Sequence, residues 1–93
     1  MQYVVHALDF PDALERRLAV REAHLEGIRH MKANGTFHLG GALLNDEGRM
    51  IGSMMLIEMP DDAAVQTWLK GEVYVTNRVW DHIDVRPFRP APV

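Results

Sequence analysis

The sequence has no cysteine among its 93 residues. That excludes a disulfide scaffold, a thiol nucleophile and a thiolate zinc site together. It also has no long apolar run. No stretch approaches the ~20 consecutive apolar residues of a membrane-spanning helix. The opening MQYVVHALDF lacks the charged start and extended apolar segment of a secretory signal. These absences lead to the expectation of a cytoplasmic protein with no membrane partner. Basic excess is missing too: the net charge is −3, against the basic face a nucleic-acid module needs to neutralise phosphates. No nucleotide-binding or H-E-x-x-H pattern is present, so neither a cofactor nor a metal is expected.

What is there is ordinary globular composition, 47% hydrophobic and 25% charged residues. That rules out a disordered tail or a fibre, and the length suits one domain over residues 1–93. A chain this short buries only about 60–65% of its unfolded surface. Pairing with a second copy is therefore an expected source of further burial.

The order of elements can be read from the residues. Gln2–Leu8 is a β-branched and aromatic run, hence a strand. Asp9-Phe10-Pro11-Asp12 is a turn, with Asp12 or Asp9 able to cap the next helix. Residues 13–32 form that helix, stopped by Asn34-Gly35. Residues 36–44 and 50–59 read as strands around a tight turn at 45–48. Pro60-Asp61-Asp62 opens a second helix to about Leu69, residues 71–78 form a loop or short helical turn, and residues 80–88 form a fourth strand. The order βαββαβ predicts an α+β, ferredoxin-like fold with an antiparallel four-stranded sheet and both helices on one face. Tyr3, Val5 and Ala7 in strand one, with Ile83 and Val85 in strand four, are expected to face the helices. Val4, Trp80 and Phe88, mixed with His6, His82 and Asp84, are expected on the other face. There they would line a partly polar cavity between two sheets of a homodimer, a dimeric α+β barrel.

The first helix does not read cleanly. At ~100° per residue, Leu14, Leu18, Leu25 and Ile28 fall in a narrow stripe with Arg21 at its centre, and Arg17 and His24 along one edge. A buried unpaired guanidinium is expensive. Either the helix breaks near Ala19-Val20, or Arg21 points into a polar pocket and binds an acid. Both place Arg17, Arg21 and His24 close together. The bland alternative is an arginine–carboxylate pair that fixes helix against sheet.

These residues carry a resemblance. Asp9, then Leu14-Glu15-Arg16-Arg17-Leu18, then Val20-Arg21-Glu22-Ala23-His24-Leu25, then Gly52-Ser53, and the close Val79-Trp80-Asp81-His82-Ile83-Asp84-Val85-Arg86-Pro87-Phe88 resemble the YciI-like (YCII-related) family nearly end to end. The resemblance implies a dimeric ferredoxin-like fold and a histidine/aspartate-centred site, in a family with relatives thought to eliminate HCl from a ring or lactone. The chain departs from the pattern at Glu72-Val73-Tyr74, where relatives carry Asp-Pro-Tyr, and at Glu22, where proline is common. The loop between strands two and three is also shorter. One added methylene can displace a catalytic oxygen by about an ångström, enough to cost ~100-fold in rate.

His24 is the candidate general acid or base, because histidine carries protons near neutral pH. Glu72 or Asp9 would orient it. Arg17 or Arg21 would grip an anionic group of a small-molecule ligand by a forked contact, with Ser53 and Tyr74 completing the substrate-binding set. The bland reading of His24 is a half-buried helix histidine bonded to a backbone carbonyl. His6 and His82 with Asp84 could hold a metal, but a polar patch is the preferred reading. His30 and His38 read as surface positions, Gly40-Gly41 as a bulge or close backbone approach, and Met54 and Met55 as adaptable packing. The expected function is a small cofactor-independent enzyme of the lyase or isomerase type, dehydrochlorinase-like, acting on a small acidic cyclic compound. The alternatives are a non-catalytic binder or accessory protein of the same fold, and a purely structural partner domain.

Overall fold

Alternating apolar residues and strong turn signals give four strands and three helices in the computed structural model, which describes residues 1–93. The chain runs β1 (Gln2–Asp9), α1 (Leu14–Ala33), β2 (Phe37–Leu44), β3 (Met50–Glu58), α2 (Asp62–Gly71), α3 (Val73–Thr76) and β4 (Trp80–Phe88). The sheet order is β2-β3-β1-β4, and every pairing is antiparallel. This is the α+β, ferredoxin-like arrangement, with β1 and β3 at its centre. No helix is long and apolar enough to cross a membrane.

Register decides what each face presents. Tyr3 pairs with Ile57, Val5 with Met55 and Ala7 with Ser53. Ala7 and Val5 pair on the other side with Ile83 and Val85. Directly paired residues point to the same side of a sheet, so this set forms the helix-facing layer. Tyr3, Val5, Ala7, Met55 and Ile57 are buried there with Val65 and Leu69 of α2, and Ile83 and Val85 pack at its edge. Full burial of such side chains contributes about 1.5–3 kcal/mol each. His6 pairs with Asp84 and Leu8 with His82, on the opposite side.

Trp80 departs from the expected parity. The β1–β4 register shifts between Leu8 and Asp9, so that Leu8 pairs with His82 but Asp9 with Trp80. The extra residue, Asp81, returns Trp80 to the helix side, where it is buried. An inserted residue reverses the side of everything beyond it. Trp80 is therefore a core residue and not part of the outer face.

Helix α1 is unbroken from Leu14 to Ala33, which overturns the break near Ala19-Val20. Its buried line is also not the leucine stripe. Arg17 and His24 are its only buried residues, with Val20, Ile28 and Met31 half-buried against the core and Leu18 exposed. The expected aspartate cap is absent: Ala13 holds the N-cap position with no side-chain bond, and Asp9 bonds to Arg17 instead. The helix ends as expected. Gly35 takes φ 76°, a conformation that favours glycine, and lets Thr36 N–H donate to Met31 O at 2.8 Å. At the start of α2, Asp61 accepts from Ala64 N–H at 2.9 Å.

Candidate active site

Two buried side chains of α1, Arg17 and His24, lie two turns apart among polar partners supplied by the sheet and by the α2–α3 junction. Glu72 is that junction. Its backbone is extended, ends α2 by donating to Leu69 O at 3.2 Å, and begins α3, where its own Oε1 accepts from Tyr74 N–H at 3.2 Å. Held at both ends, the side chain meets α1: Glu72 Oε1 lies 2.5 Å from His24 Nδ1, with both side chains buried. The added methylene at this position therefore does not prevent the carboxylate from reaching the imidazole.

Aromatic contacts fix the His24 ring further. Tyr74 stacks flat on it, 3.9 Å between centroids at 11°. Trp80 meets it edge-on at 5.9 Å and 78°. Nδ1 is engaged by Glu72, so Nε2 is the ring nitrogen available to a ligand. The α3 turn and the Asp81 bulge thus both serve to orient one imidazole.

Arg17 is held by a second group of bonds. Its Nη1 donates to both oxygens of Asp9 at 3.0 and 3.1 Å, and its Nη2 donates to Ser53 Oγ at 2.8 Å. Ser53 also accepts from Trp80 Nε1 at 3.2 Å, which leaves the serine's own hydrogen free to donate. The guanidinium lies 4.7 Å from the Tyr74 ring centroid, so Tyr74 joins the arginine group to the histidine group. Arg17 Nε is buried without a partner in the chain. An unsatisfied buried donor costs about 1–3 kcal/mol, which an acceptor from a ligand or water would offset.

Burial pushes the Asp9 carboxyl above its ordinary value, against the opposing pull of the Arg17 charge and its hydrogen bond. Burial likewise raises the Tyr74 phenol, with Arg17 and Arg21 pulling the other way. Tyr74 therefore stays neutral near pH 7 and its hydroxyl remains a donor.

A cavity of about 300 Å³ opens between α1 and β2 against these groups. Arg17, Arg21, His24 and Lys32 of α1 line one wall, with Ser53 and Tyr74 beneath. Gly40, Phe37 and Met55 form the sheet side. A Cβ at Gly40 would come within 2.9 Å of the Phe37 ring, so glycine keeps that wall low. No acidic residue lines the cavity, although the chain as a whole carries a net charge of −3. The hollow is locally cationic, apolar in part, and sized for a small anion.

Of the two candidate carboxylates, Glu72 is at His24 and Asp9 is at Arg17. Arg21 stands exposed at the cavity mouth and forms no ion pair, so the structure shows no acid bound to it. Lys32 and Trp80 were missed as contributors. Lys32 lies 11 residues beyond Arg21, close to a whole number of helical turns at ~100° per residue, so periodicity could have found it. Trp80 could not be placed without the bulge. His6, His82 and Asp84 are exposed on the outer face, and no cluster of three or more potential ligands could hold a metal.

The sequence pattern of the YCII-related domain matches residues 1–89. The chain belongs to the YCII-related domain family. Protein YciI of Escherichia coli is 35% identical over 95 residues, spanning 96% of this chain and 97% of its own. A Haemophilus influenzae protein is 32% identical over 95 residues, with the same coverage. Among solved structures, the 5-chloro-2-hydroxyhydroquinone dehydrochlorinase TftG of Burkholderia phenoliruptrix, in complex with 2,5-dihydroxybenzoquinone, matches this YCII-related domain with a TM-score of 0.88. It is 21% identical, and the match covers 98% of this chain and 96% of that one. At that identity the likeness shows the shared fold.

Proposed function

We propose that this YCII-related protein is a small cofactor-independent enzyme of the lyase or isomerase type, in which the His24–Glu72 pair moves a proton on a small cyclic anion. The observation that carries the reading is the buried imidazole, bonded to a carboxylate at Nδ1 and lining a cationic cavity. Nε2 takes a proton from a carbon beside a carbonyl. In a dehydrochlorination, the electron pair of that C–H bond forms a double bond as the C–Cl bond breaks and chloride leaves. Glu72 orients the ring and compensates the charge that forms on it. Arg21, with Arg17 behind it, attracts the anion, and Ser53 and Tyr74 donate hydrogen bonds to oxygens that gain charge. Asp9 acts by holding Arg17. The dihydroxybenzoquinone bound by TftG is a ring of the size this cavity takes, which supports the substrate class.

A homodimer is part of the proposal. Leu8, Leu39 and Phe88 are exposed, and their register places them on the face of the sheet away from the helices. A second copy laid against that face would cover them.

The test compares wild type with His24→Gln on 5-chloro-2-hydroxyhydroquinone and on chlorinated lactones, following chloride release. Loss of general acid–base help lowers turnover by about 10²–10⁴-fold. An unchanged rate in a folded variant refutes the reading. A ligand that raises the melting temperature but is never consumed favours the binding-only alternative.

A further inference from the structure

The His24–Glu72 pair has a second opening. Behind it, between α1 and α2, lies a groove of about 220 Å³ lined by His24, Gly27, Met31, Trp68, Gly71 and Glu72. The cavity between α1 and β2 is lined by His24 but not by Glu72, whereas the groove reaches both. The imidazole thus stands between two hollows, with its carboxylate on the rear side.

Two details make the groove more than a crease. Both bonds to Glu72 end on Oε1, which leaves Oε2 without a protein partner, and that oxygen is not sealed from water. Two of the groove's lining residues, Gly27 and Gly71, carry no side chain. A Cβ at Gly27 or Gly71 would meet no atom within 4 Å, and neither residue has a positive φ. Both positions are exposed and have room for a side chain.

We propose that this groove is a solvent port through which the His24–Glu72 pair exchanges its proton with water while the front cavity is filled. The inference deepens the proposed function and rests on it for its purpose, but not for its geometry. When Nε2 gains a proton from a ligand, the proton on Nδ1 passes to Glu72 Oε1, the carboxyl turns to bring that proton to the groove side, and water in the groove takes it. Once the product has left, Nε2 gives its proton to water in the front cavity as Nδ1 regains one from groove water through Glu72, so that one proton is released per turnover. A ligand in the front cavity does not block the first step.

The experiment measures exchange of the His24 ring proton with water by NMR in protein labelled with ¹⁵N-histidine. Gly27→Leu and Gly71→Met fill the groove from its two helices, and Ala42→Phe fills the front cavity, which Ala42 lines. Melting temperatures identify the variants that fold, and either groove variant suffices. Filling the groove is expected to slow exchange by about tenfold or more, since exchange then needs a local opening. Ala42→Phe is expected to leave it within about twofold of wild type. Exchange slowed by Ala42→Phe and untouched by the groove variants overturns the port, as does equal exchange in all. An inactive role for His24 in turnover would refute the proposed function yet leave the exchange pattern intact, so the two failures are distinguishable.

Discussion

Replacing Arg17 by methionine is a severe perturbation with a defined pH signature. The substitution keeps much of the buried side-chain volume but removes both donors to Asp9, the donor to Ser53 and the cation near the Tyr74 ring. Ser53 still accepts from Trp80, so the main loss is at Asp9, whose side chain is only 5% exposed. Breaking a buried ion pair by removing one partner costs about 3–5 kcal/mol, a large share of the roughly 5–14 kcal/mol expected for a chain of this length. The sign of the pH dependence is set by Asp9. Its folded carboxyl already sits above 3.8 because burial outweighs Arg17. The native state therefore holds that proton more tightly than the unfolded state, and this group's contribution to stability falls as pH rises from 3.8 through the folded value. Without Arg17 the folded value rises further, so the fall becomes larger. Urea unfolding of wild type and Arg17→Met should show a small difference at about pH 4 and the full 3–5 kcal/mol at about pH 7. Arg17→Met with Asp9→Asn should recover most of the loss, and it keeps the test readable if the single variant does not fold. A destabilisation of equal size at both pH values, or a double variant no better than the single, refutes the reasoning.

Other expectations rest on single contacts. Glu72→Gln keeps an oxygen acceptor for His24 Nδ1 and Tyr74 N–H but removes the negative charge that compensates a protonated imidazole. Turnover should fall by about 10²–10⁴-fold, with the Tyr74 N–H bond preserved and the melting temperature changed little; full activity would contradict the role given to Glu72. Asp61→Ala removes the cap bond to Ala64 and should cost about 1 kcal/mol by denaturant unfolding, within the usual 0.5–2 range. Leu39→Glu places a charge on the outer sheet face, where Leu39 is 59% exposed in one chain. Sedimentation should show monomer where wild type is dimer, and a wild-type monomer would remove the homodimer proposal.

The fold was legible because its signals are local. The alternation of Tyr3, Val5 and Ala7, the stop at Asn34-Gly35 and the Asp61 cap each act within a few residues, and together they define βαββαβ. The site was half legible. His24, Arg17 and Glu72 were named from residue type and resemblance, but which carboxylate meets which cation is settled by tertiary register. Asp9 lies on the helix side of β1 and is taken by Arg17, while Glu72 is fixed by ending one helix and starting the next. Helix α1 misled for a physical reason. Its buried line is Arg17 and His24, polar residues satisfied by partners from the sheet and from the α2–α3 junction, so a search for an apolar stripe led to the wrong line of leucines. Trp80 was misplaced because one bulged residue, Asp81, inverts strand parity, and no composition signal marks such an insertion.

The central claim is that the His24 ring carries its proton on Nδ1 toward Glu72 and presents Nε2 to a cavity that receives small cyclic anions. The ¹H–¹⁵N NMR spectrum of the His24 imidazole tests this, with 2,5-dihydroxybenzoquinone added as probe. The account predicts a protonated Nδ1 before and after addition, with a shift of the Nε2 resonance that is weakened in Arg21→Met. A proton resident on Nε2 in the free protein, or an Nε2 resonance that ignores the probe while the probe binds, would contradict it.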